Sequence, residues 1–211
     1  MRTHDDIENE LNETISIIFS DEDIMTLSSY EIRQKIFNHL THSLSYDYEA
    51  LEKIKSTAEG GKRFTRNAQV EFQNVVFNKI GICNAISQFY KLLLEKVGIK
   101  SYCVICDDGT SVGHQLNLVY DDANDCYSFD DITSVIVGRG SEQDYFDYDL
   151  EAAHLFGQGN RNILNDEYYL FLWEDYINFV VMRNENRYKT ISKMPANVRS
   201  VKSILQHCIS D

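Results

Sequence analysis

Three residue types that together make an activated sulfur nucleophile fall within one stretch of this sequence: Cys83, His114 and a neighbouring pair of carboxylates, Asp130 and Asp131. A thiol attacks a carbonyl carbon as the thiolate, and its ordinary pKa of ~8.5 drops at a helix N-terminus or beside an imidazolium. An imidazole takes up the thiol proton and returns it to a leaving group, while a carboxylate fixes the ring and stabilises its charged form. The chemistry open to such a set is acyl transfer. The sulfur adds to an amide carbonyl, an amine leaves, and the resulting thioester is resolved by water or by a second amine.

The elements that must position these groups are legible around them. After Gly81-Ile82-Cys83, apolar residues at 82, 85, 86, 89, 92, 93 and 97 recur at helical spacing, with Lys91, Glu95 and Lys96 on the other side and Gly98 suited to the C-terminal cap. This spacing puts Cys83 in the first helical turn, where backbone N–H groups and the macrodipole favour an anion. Gly81 is expected to let the chain turn tightly into the helix. Residues 100–106 read as a strand, 107–110 as a turn and 114–120 as a second strand. A turn at 121–125 leads to a third strand through Cys126–Thr133, which Ser134–Val137 extends to Gly138. In such a meander His114 starts one strand and the two acids lie near the end of its neighbour. Successive strand residues point to opposite faces, so only one of Asp130 and Asp131 can meet His114.

A G-x-C helix start, a strand beginning with histidine and a following D-x-T, here Gly81-Ile82-Cys83, His114 and Asp131-Ile132-Thr133, resemble the core pattern of the transglutaminase-like superfamily. The likeness runs roughly from residue 30 to 180. Ile36-Phe37-Asn38-His39-Leu40 and Tyr46-Asp47 are similar to the helix and Y-D segment before the cysteine in microbial members, and 168–172 is like the strand after the aspartate. The resemblance implies an α+β, papain-like core in which N-terminal helices and the catalytic helix pack on an antiparallel sheet. It also implies a Cys83-His114-Asp131 triad, with Asp131 preferred over Asp130 by the D-x-T register. Members include protein cross-linkers, deamidases, proteases and peptide N-glycanases. The expected activity is thus acyl transfer or hydrolysis at an amide bond of a protein or peptide, with no metal or organic cofactor. Papain-like enzymes often add an upstream side-chain amide to the oxyanion donors, a role open to Gln73 or Asn74 beside the Cys83 N–H. Two departures stand out: His114-Gln115-Leu116 replaces the common His-Ala-Trp, which alters the groove wall, and the D-x-T lacks its usual proline. The alternative from another class is a catalytically silent domain of this fold that binds a protein or peptide. A redox module built on Cys103-x-x-Cys106 is a third.

Composition narrows the partners. At 211 residues, with 43% hydrophobic and 12% aromatic residues, the chain suits one well-buried domain. A net charge of −13 disfavours nucleic acid and anionic membrane surfaces. The N-terminal residues lack the build of a secretory signal, and no apolar run approaches the ~20 residues of a membrane span, so a cytoplasmic location is expected. Five cysteines, an odd number, do not suggest a disulfide framework. A metal site at Cys103-x-x-Cys106 would need further ligands that the spacing does not provide. The acidic run Asp121-Asp122-Asn124-Asp125 lacks the spacing of a calcium loop.

The rest of the chain divides into a helical N-terminal part (1–60), a catalytic core (61–182) and a C-terminal tail with a helix (183–211). Helices are expected over 4–19, from the Ser28 cap to about Leu44, and over 47–55, with 20–23 starting a short turn and 56–63 a loop. Residues 66–79 lead into the cysteine helix. Further on come a short helix near 150–156, a strand buried on both faces after Tyr168, and a last helix over 198–209.

Overall fold

Reciprocal capping boxes start the first two long helices, the second of them at the expected Ser28 cap. Thr3 accepts from the Asp6 N–H while the Asp6 carboxylate accepts from Thr3, opening α1 (His4–Ile18); Ser28 and Glu31 do the same for α2 (Ser29–Ser43). Between them Asp23 caps a single 3-10 turn. This computed structural model describes residues 2–59, 68–106, 114–123, 126–147, 169–171 and 199–200.

A two-residue strand β1 (Ser45–Tyr46) pairs in parallel with β2 (Ile80–Gly81), so that the chain after α2 lies directly against the residues before Cys83. α3 (Tyr48–Glu59) is longer than the spacing predicts: Ser56 to Glu59 are helical rather than loop, and the rest of that expected loop lies outside the described residues. α4 (Ala68–Asn78) then leads through β2 into α5 (Cys83–Lys96). Gly98, at φ 80°, takes the left-handed conformation just past the helix end. Gly81 is needed for a different reason from the one its position suggests. A Cβ there would stand 3.0 Å from the Cβ of Val75, so the glycine permits close packing of β2 on α4 rather than an unusual turn.

The helices form one apolar core. Leu11 of α1, Ile36, Phe37 and Leu40 of α2, Val75 and Val76 of α4, and Ile86, Phe89 and Leu93 of α5 are all buried in it. β3 (Ser101–Cys106), β4 (His114–Asp121) and β5 (Cys126–Asp130) form the expected antiparallel meander. β6 (Tyr169–Phe171) adds to the free side of β3 and β7 (Arg199–Ser200) to β6, giving the order β5-β4-β3-β6-β7. The strand expected after Tyr168 is therefore an interior one. Arg199 and Ser200, expected in a final helix, are instead strand; the rest of that helix and the one near 150–156 lie outside the described residues. The combination of helices with a mainly antiparallel sheet is α+β.

The largest local departure falls beside the candidate site. The third strand stops at Asp130, and the residues expected to prolong it form the short helix α6 (Ile132–Ile136), followed by α7 (Glu142–Tyr145). Ile132, Val135 and Ile136 carry β-branched side chains that favour a strand reading, but Asp131 caps the helix by accepting from the Ser134 N–H, and the cap wins.

Candidate active site

Cys83 is the first residue of α5 and half-buried, and it carries a thiol rather than a disulfide. His114 opens β4, with a side chain 10% exposed. Its Nε2 lies 2.8 Å from Oδ2 of Asp131, and the Cys83 side chain is near enough to the same imidazole to raise its pKa. Burial alone would strip the ring of its proton. The Asp131 carboxylate and then the Cys83 sulfur outweigh it and push the His114 pKa up to about 10. Asp131 responds in the opposite sense. Burial would raise its pKa, but the imidazole and two bonds from Ser134 hold it below the ordinary carboxylate value. The three side chains therefore form one polar row across the start of α5, the start of β4 and the residue after β5.

The two neighbouring acids are sorted by what they touch. Asp130, fully buried, receives both arms of the Arg33 guanidinium, Nε at 2.7 Å and Nη2 at 2.6 Å, together with the Tyr90 hydroxyl at 2.7 Å and the Asp147 N–H at 2.8 Å. Arg33 also reaches Asp147 at 2.9 Å and stays charged because Asp130 more than offsets its desolvation. Asp130 is thus saturated on the α2 side, while its neighbour turns to His114. Asp131 is fixed at its backbone too, its N–H donating to the Tyr145 carbonyl at 2.9 Å.

The upstream amides lie elsewhere. Gln73 donates to the Arg2 carbonyl at 3.0 Å, and Asn74 accepts from Asn78 one turn along α4. From α4, Glu71 reaches the first turn of α5 and accepts from Asn84 at 3.1 Å. At ~100° per residue, Gln73 lies on the far side of the helix from Glu71. Of the remaining candidates, Cys103 is buried, which pushes its thiol pKa up to about 12 and leaves it inert at neutral pH. The α2 histidines lie apart from this row: His42 is exposed, with Nδ1 near the Asn38 carbonyl, and His39 is half-buried.

Sequence reading passed over Arg33, Ser134 and Glu71. Arg33 carried a signal: it lies one residue from Ile32 and four from Phe37, inside the buried face of α2, where a cation needs a partner. Ser134 carried another, since an acid followed three residues later by serine at a strand end is cap chemistry. Glu71 had none, because it depends on how α4 packs on α5.

No family model matches the sequence, and no curated protein does. Among solved structures the fold is similar to that of a TGase crystal structure, with a TM-score of 0.50 and 16% sequence identity over 74% of this chain and 37% of that one. This chain therefore spans little more than a third of the length of that protein. At this identity the likeness is one of fold alone. Among the described residues no helix is long and apolar enough to cross a membrane.

Proposed function

We propose that this protein is a thiol acyltransferase or hydrolase acting on an amide of a protein or peptide, with Cys83 as nucleophile, His114 as acid and base, and Asp131 as the group that orients the imidazole. What supports the reading above all is the shared ring: Asp131 holds Nε2 at 2.8 Å, which leaves Nδ1 for the Cys83 sulfur. The Cys83 thiolate adds to the carbonyl carbon, and negative charge develops on the oxygen beside the first-turn N–H groups of α5. As the C–N bond breaks, the imidazolium gives its proton to the departing amine, leaving a thioester on Cys83. Neutral His114 then takes a proton from water, which yields a carboxylic acid, or from a primary amine, which yields a new amide, and the thiolate is restored.

Mass-resolved alkylation with iodoacetamide tests this. Cys83 is expected to label faster than the other four thiols, with a midpoint well below the ~8.5 of a free thiol, and His114→Ala is expected to slow that labelling about tenfold or more. Equal labelling of all five cysteines, unchanged by His114→Ala, would remove the nucleophile and the proposal with it. Given a reactive Cys83, peptide amides offered with and without a primary amine separate cross-linking from hydrolysis.

A further inference from the structure

Oδ2 of Asp131 serves two donors. Besides His114 at 2.8 Å it accepts the Ser134 hydroxyl at 2.6 Å, and Oδ1 accepts the Ser134 backbone N–H at 3.0 Å. Ser134 thus grips both oxygens of one carboxylate from a single residue, and it is fully buried, so no solvent competes. Two bonds at fixed spacing set the plane of a carboxylate as well as its place, which a single contact from His114 cannot do.

We propose that Ser134 is a positioning residue of the Cys83-His114-Asp131 site: its hydroxyl and backbone N–H keep the Asp131 carboxylate turned toward His114. The inference rests on the reading above for its catalytic consequence, though not for its geometry. The groups around Asp131 leave this task to Ser134. From β4 comes His114, the partner to be oriented. From α2 and α5, Arg33 and Tyr90 are taken up by Asp130, and Asp147 joins them. From α7, Glu142 accepts from Thr41 of α2 and lies 3.3 Å from His42; next to β1, Asp47 accepts from the Ala50 N–H. A hydrogen bond to the charged form of an acid lowers its pKa, in accord with the depressed Asp131 value.

The test follows the Asp131 carboxyl by carbon NMR across pH in the full chain, alongside Cys83 alkylation. Ser134→Ala, and Ser134→Cys, which keeps the volume with a weak donor, are each expected to raise the Asp131 midpoint by about one unit, the loss of one charge-assisted bond. Both are expected to slow Cys83 alkylation at neutral pH about tenfold, and Ser134→Thr, which keeps the hydroxyl, is expected to restore both readouts. A carboxyl midpoint unmoved in the Ala and Cys variants overturns the proposal, as does, where Cys83 of the unmodified protein labels fast, an alkylation rate that stays at the wild-type value while the midpoint rises. If Cys83 of the unmodified protein labels as an ordinary thiol but the midpoint still moves, the hold of Ser134 on Asp131 stands and the acyl-transfer reading alone fails.

Discussion

His114 has the most informative titration in the molecule because its partners act against its burial. Its folded pKa of about 10 exceeds the ~6.5 of an unfolded imidazole. Between those values the folded chain keeps a proton that the unfolded chain has released. The contribution is therefore complete below ~6.5 and lost as pH rises through about 10. The stability difference between the unmodified chain and His114→Gln, measured by urea denaturation, is expected to shrink steadily across that window. A difference that stays flat across that window would mean the ring is neutral in the folded state and the Asp131 contact is an ordinary neutral hydrogen bond. Cys103 marks the contrast. A thiol in an enclosed setting with no imidazole beside it has its pKa raised, so cysteine chemistry here is decided by neighbours more than by residue type.

Elements whose ends are fixed by local chemistry were legible, and those fixed by tertiary contact were not. The Ser28 and Glu31 box, the helical spacing after Cys83 and the turn residues between strands act within a few positions, so α2, α5 and the β3-β4-β5 meander follow from sequence alone. The same reading brought Cys83, His114 and Asp131 to neighbouring elements. It left Asp130 open because the choice between adjacent acids is made by Arg33, 97 positions away. It also took Ser134 for strand, because β-branched neighbours outweighed the cap signal. These two acids should separate cleanly by experiment. Breaking the buried Arg33–Asp130 pair by Asp130→Asn or Arg33→Met is expected to cost about 3–5 kcal/mol in urea denaturation, since either change strands a buried charge or its donors. Asp131→Asn is expected to abolish the fast labelling of Cys83 while the chain still unfolds cooperatively. Above pH ~10, where His114 has lost its proton, Asp131→Asn is expected to cost less stability than Asp130→Asn, and equal losses there would contradict the division of labour drawn from their contacts.

At the scale of the whole molecule, helical core and sheet meet through a polar seam. Off its apolar stripe α5 carries Asn84, Ser87, Gln88 and Lys91, and all four are buried. Ser87 donates to the Gln115 carbonyl and Asn117 to the Ser87 carbonyl, tying α5 to β4 next to His114, while Gln115 reaches the Asn84 carbonyl at 3.3 Å. Leu116, Leu118 and Phe129 are buried too, outside the cluster formed by the helices. Directional bonds in the seam fix the register of α5 against β4 more narrowly than apolar contact would, and the sulfur and the imidazole approach each other across that register. Its members do not contribute alike. Asn117 is bonded at 2.9 Å, whereas both amide atoms of Gln88 are buried without a hydrogen-bond partner among the described residues, a condition that costs roughly 1–3 kcal/mol. Gln88→Met, of similar length and no polar atoms to satisfy, is therefore expected to raise stability by about 1 kcal/mol or more in urea denaturation and to leave Cys83 labelling unchanged. Asn117→Leu is expected to lower stability and, by loosening α5 against β4, to slow the labelling as well. A loss of stability in Gln88→Met would show that water satisfies that amide in solution, and that the seam is a hydrated layer rather than a dry one.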